Sequence, residues 1–116
     1  MKLSSITSAS PAVLSALAGT ASANQCVYKG NEMVLWGWII MADGVGDVPA
    51  VCGGLWDNMK RFGACTLTNT HCWEVEPGRI RWEFYSPTTC GPGHVESSWW
   101  EETRNQYGEI NCFRAY

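Results

Sequence analysis

The sequence predicts a small α+β domain, two helices packed on a small antiparallel sheet and stapled by disulfides. Three observations predict it. Six cysteines, Cys26, Cys52, Cys65, Cys72, Cys90 and Cys112, follow a secretion-type leader, and an even cysteine count in a short secreted chain reads as a disulfide framework. Two segments carry the period-two apolar alternation of strands. Two others carry apolar residues at helical spacing, which gives the order strand, helix, hairpin, helix, strand.

The first 23 residues, MKLSSITSASPAVLSALAGTASA, have the parts of a signal peptide. Lys2 is the positive n-region, Pro11 to Ala18 the short apolar stretch, and Ala21-Ser22-Ala23 a small-x-small cleavage site. No apolar run reaches the length of a membrane-spanning helix. The mature chain is therefore expected to run over 24–116 as one secreted, extracellular domain of 93 residues. So short a chain buries a modest core and draws part of its stability from cross-links.

Residues 33–41, MVLWGWIIM, alternate Val34, Trp36, Trp38 and Ile40 on one face with Leu35, Gly37, Ile39 and Met41 on the other. With apolar residues on both faces, this predicts a buried strand. Asp43-Gly44 and Gly46 mark a loop. From Asp47 to Gly63 the pattern is helical: Asp47 suits an N-cap, Pro49 the first turn, and Cys52, Leu55, Met59 and Phe62 form one stripe. Gly53-Gly54 weakens the start of this helix, and Gly63 is its expected terminator.

Cys65 and Cys72 bracket the polar run TLTNTH, and this spacing suits a local bridge, one of 15 pairings open to six cysteines. Residues 73–75 and Arg79–Tyr85 predict a hairpin across Pro77-Gly78. On the second strand Ile80, Trp82 and Phe84 face one way and Arg79, Arg81, Glu83 and Tyr85 the other. His94 to Tyr107 reads as the second helix, with Val95, Trp99, Thr103 and Tyr107 on its inner stripe and Gly108 as its stop. Glu109 to Arg114 reads as a closing strand with Ile110 and Cys112 inward.

Composition narrows the function. The formal charge of −3, which becomes −4 on loss of Lys2, gives no strong nucleic-acid signature and no attraction to anionic lipid. Zinc-ligand spacings are missing and secreted thiols oxidise, so neither a metal nor another cofactor is expected. A domain of this size gives little wall for a two-carboxylate glycosidase cleft.

Two clusters remain. Glu83 and Arg81 on one strand face, with His71 or His94, supply the base, acid and guanidinium that a small secreted ribonuclease uses. The alternative for that face is a set of charges that keep an exposed sheet soluble. Seven tryptophans form the other lead. Trp36 or Trp38, Trp82 and Trp99 fall on inward stripes, whereas Trp100 lies off the helix stripe beside Glu96 and Arg104. An indole flanked by Glu101, Arg104 and Asn105 suits a pyranose: the sugar's C–H face stacks on the ring and polar groups hold its hydroxyls. Trp73, beside the hairpin, is a second candidate platform. The bland reading of Trp100 is a half-buried ring closing the core edge.

The run from Cys90 to Cys112, CGPGHVESSWWEETRNQYGEINC, together with Cys52-Gly53-Gly54-Leu55-Trp56 and Arg81-Trp82-Glu83-Phe84, resembles the Y-three-type glycan-binding proteins of mushroom-forming fungi. The shared pattern is a cysteine, a glycine turn, V-E-S-x-W-W-E-x-T-x-N-x-[FY]-G and a final cysteine. The resemblance is strongest over Val95 to Cys112. It implies a secreted, lectin-like fungal protein that binds glycans or glycoproteins, often as a homodimer, and requires no catalytic residue. The rival readings are the ribonuclease and an effector or toxin that binds a host protein.

Overall fold

The structure, a computed structural model, describes residues 24–30 and 34–115. The leader, 1–23, lies outside the described residues, as does Met33 at the head of the first predicted strand. The elements are β1 (Gln25–Gly30), β2 (Leu35–Ala42), α1 (Val48–Met59), β3 (Thr68–Glu76), β4 (Arg79–Pro87), α2 (Pro92–Thr103) and β5 (Cys112–Arg114). The strands form one five-stranded sheet in the order β3-β4-β2-β1-β5. Every neighbouring pair is antiparallel except β1 with β5, which is parallel. The expected small antiparallel sheet is thus a larger, mixed one. β1 has no counterpart in the sequence reading, and it supplies the parallel partner: Cys26 and Cys112 sit opposite each other in register and are disulfide-bonded.

Register sorts the side chains into two faces. The rows Tyr28–Trp38–Phe84 and Cys26–Ile40–Trp82–Cys72 lie on the face that α1 and α2 cover. Trp38, Trp82, Trp99, Leu55 and Met59 are buried there, and Trp38 donates its indole N–H to Ser86 Oγ at 2.8 Å. Trp36 is only half-buried, near the end of the sheet, with Arg114 stacked at 4.7 Å from its ring centre. The other face was expected to be buried as well. It is open: Ile39 in the central strand is 42% exposed, because both helices pack on the opposite side.

α1 starts as its sequence indicates, with Asp47 Oδ1 accepting the Ala50 N–H at 3.2 Å. It ends four residues before Gly63, in a tight turn where Arg61 N–H reaches Asn58 O and Phe62 N–H reaches Met59 O. α2 starts two residues earlier than predicted, at Pro92, and stops at Thr103 rather than running to Tyr107. Arg104 and Asn105 adopt left-handed backbone, φ 51° and 62°, which breaks the helical ladder. Tyr107 therefore lies beyond the helix, where its hydroxyl accepts the Gly46 N–H at 3.4 Å.

The bridges are Cys26–Cys112, Cys52–Cys72 and Cys65–Cys90, so the local Cys65–Cys72 bridge is not formed. Cys72 lies on the covered face of β3, in the row of Trp82, and meets α1 there. Cys65 instead meets the loop after β4, where Thr89 Oγ1 donates to Ala64 O at 3.0 Å. One bridge joins the neighbouring strands β1 and β5, one joins helix to sheet, and one joins the segments that follow α1 and precede α2. No helix among the described residues is long and apolar enough to cross a membrane.

Candidate functional site

The open sheet face holds a groove of about 520 Å³. Strand alternation builds it. Positions 81, 83 and 85 of β4 all project from the open face, so Arg81, Glu83 and Tyr85 share it with His71 and Trp73 of β3. In register, Trp73 faces Arg81 and His71 faces Glu83; Val27 and Ile39 continue the His71–Glu83 row across β2 and β1. Tyr85 shares the next row with Gly37 and Lys29. Asn69, in left-handed backbone at φ 50°, lines the same groove from β3.

Gly37 explains how the groove floor is made. A Cβ at this position would stand 2.9 Å from Tyr85 Cε1 and 3.2 Å from its Cδ1. The Tyr85 ring therefore lies against the backbone of β2, in space that only glycine leaves open. Tyr85 is 38% exposed and lines the groove. Beside it the Arg81 Nε–H donates to Glu83 Oε2 at 2.7 Å, and the Arg81 guanidinium stands 5.9 Å from the Trp73 ring centre. The His71 and Trp73 rings meet edge to face at 6.3 Å. Aromatic surface, a charge pair, an amide, an imidazole and the Lys29 ammonium thus converge on one concavity.

The helix-borne candidates lie elsewhere. Arg104 stands 5.3 Å from the Trp100 ring centre and pairs with Glu101 at 3.3 Å, as the one-turn spacing predicts. Trp100 is 44% exposed, and Asn105 follows it on the exposed turn after α2. A smaller groove of about 300 Å³ runs beside Trp100, between α2 and residues 109–111. It is lined by Glu96, Ser97, Glu109 and Asn111 rather than by Arg104 or Asn105. Trp73 is remote from this set and flanks the sheet groove without lining it, in contact with Arg81 and His71.

For the ribonuclease set, the structure brings His71, Glu83 and Arg81 together and leaves His94 out. His94 serves the fold: its Nδ1 accepts the Gly91 N–H at 3.0 Å, and its ring packs on Phe62 at 4.9 Å. The donor atoms of Cys65, Cys90 and His94 lie within 4.8 Å of one another, but the two sulfurs are bonded to each other and offer no thiolate to a metal. Lys29, Asn69 and Tyr85 line the groove although the sequence alone does not mark them as ligand contacts. The available signal was Gly37, a glycine in the middle of an otherwise bulky strand.

The fold and its two grooves define a class: a disulfide-linked α+β domain with one sheet face covered by helices and the other open. Comparison with protein-family models, curated proteins and solved structures finds no match to this chain.

Proposed function

We propose that this chain is a secreted carbohydrate-binding protein that takes glycans, free or on glycoproteins, into the open-face groove. The observation that carries the reading is the Tyr85 ring laid on Gly37 at the centre of a sheet face rich in polar groups. Such a ring offers a flat apolar surface to the C–H face of a pyranose. The surrounding carboxylate, guanidinium, amide and imidazole supply the donors and acceptors that distinguish one hydroxyl pattern from another. The resemblance of the Val95–Cys112 run to Y-three-type fungal proteins supports the same class and a homodimeric state. Three disulfides agree with an oxidising, extracellular destination.

The test is binding to an immobilised glycoprotein before and after enzymatic deglycosylation, with the wild type and Tyr85→Ala. Binding that disappears on deglycosylation and falls at least tenfold in the variant supports the reading. Binding that survives deglycosylation points instead to a protein target, as for an effector. A second reading rests on the cross-strand pair His71–Glu83 with Arg81 held on Glu83. This pair has the makings of a base and an acid for phosphodiester transesterification. RNA cleavage by the wild type that is abolished in a folded Glu83→Gln variant would favour it. Cleavage that persists in that variant would remove Glu83 from the assignment.

A further inference from the structure

We infer that the chain carries a second carbohydrate subsite beside Trp100, so that a single molecule holds two sugar residues on opposite sides of its sheet. The inference rests on reading the open-face groove as the first site. The second groove is built rather than incidental. The left-handed residues Arg104 and Asn105 turn the chain back after α2 and bring residues 109–111 alongside the helix. Two hydrogen bonds fix the returning segment: Trp99 Nε1–H donates to Gly108 O at 2.8 Å, and Cys112 N–H to Glu96 Oε2 at 2.8 Å. Burial of Ile110 anchors it further.

The result is a concavity of about 300 Å³ with the exposed Trp100 indole on its wall. Stacking on Arg104, itself tied to Glu101, limits the ring's freedom, so less ordering cost remains to be met on binding. The lining side chains Glu96, Glu109, Ser97 and Asn111 accept hydrogen bonds from sugar hydroxyls. Two carboxylates and no lysine or arginine line this groove. It therefore takes a neutral, hydroxyl-rich sugar and repels sialic or uronic acids. The sheet groove differs in having Lys29, Arg81 and His71 on its lining. The two grooves lie on opposite sides because α2 packs on the covered face. Bivalence of this kind lets one copy cross-link a glycan-bearing surface without oligomerising.

The test measures how many sugars bind per chain, which is independent of dimer formation. Methyl glycosides of galactose, mannose, N-acetylglucosamine and N-acetylgalactosamine are titrated into the oxidised chain, the wild type, Trp100→Ala, Asn111→Ala and Tyr85→Ala being compared. Two sites per chain in the wild type and one in each single variant of either groove are the expected results. A single site that is unaffected by both Trp100→Ala and Asn111→Ala overturns the inference and leaves the sheet groove standing. A single site lost in Trp100→Ala and untouched by Tyr85→Ala overturns the groove reading instead. No binding of any of the four sugars overturns the pair. Near-ultraviolet circular dichroism checks the fold, and Asn111→Ala keeps the test decisive if removal of the indole perturbs α2.

Discussion

Gly37→Ala separates the proposed site from the fold. The added methyl would sit 2.9 Å from Tyr85 Cε1, short of the roughly 3.5–4.0 Å at which carbons pack best, so the ring must retreat by about 0.6 Å or more. Stability changes little. Replacing a strand glycine removes about 0.5–1 kcal/mol of backbone entropy cost. Strain against a ring that is free to lift falls at the low end of the roughly 1–3 kcal/mol typical of overpacking. These terms offset to within about 1 kcal/mol, which limits the change in Tm to less than about 4–8 °C for a domain of this size. Binding should suffer more. A stacked aromatic contact is worth about 0.5–1.5 kcal/mol beyond area, so a misplaced ring weakens Kd by about two- to twelvefold. Tyr85→Phe keeps the platform and should retain most of the affinity. Isothermal titration with the tightest-binding oligosaccharide, paired with thermal unfolding, reads both quantities. Unchanged affinity in a folded Gly37→Ala protein would refute the role given to the Tyr85–Gly37 contact.

Other perturbations test the framework. Gly53→Ala, on the exposed side of α1 where an added methyl meets nothing within 4 Å, should stabilise the protein by about 0.8–1 kcal/mol, read as a higher Tm. Glu102 has its carboxyl raised above the ordinary value of 4.5, first by burial and then by the nearby Asp57 charge. The folded state therefore holds that proton more tightly than the unfolded chain does. Stability from this group is fully present below pH 4.5 and is lost as pH rises through the folded value. Glu102→Gln should remove that slope and raise Tm at neutral pH. Replacing Cys26 and Cys112 by serine releases a link across 86 positions, worth about 4.6 kcal/mol in chain entropy, against about 3.3 kcal/mol for the 20-position Cys52–Cys72 link. Denaturant midpoints should rank the two double variants in that order.

Much of the fold was legible because local signals agreed with burial. Asp47 and Pro49 mark the start of α1, Ile80–Trp82–Phe84 marks the covered face of β4, and Pro77-Gly78 marks the hairpin. What stayed hidden depended on distant pairing. β1 is six residues long, and its place is set by β2 and by the bond from Cys26 to Cys112. The bridge partners of Cys65 and Cys72 follow from which face each cysteine shares, not from their spacing in sequence. The double apolar character of β2 suggested burial on both sides, whereas Ile39 and Gly37 floor an open groove. Alternation along β4 did place Arg81, Glu83 and Tyr85 together. Register decides between the two histidines, putting His71 opposite Glu83, and the folded groove adds Asn69 and Lys29.

The central claim is that the open-face groove recognises carbohydrate. A glycan-array screen of the oxidised chain from Asn24 onward, run with wild type and Tyr85→Ala side by side, tests it most directly. Saturable binding to a narrow group of related glycans, reduced at least tenfold in the folded variant, is the predicted result. A blank array from correctly folded wild type, or identical profiles from the two proteins, would contradict it.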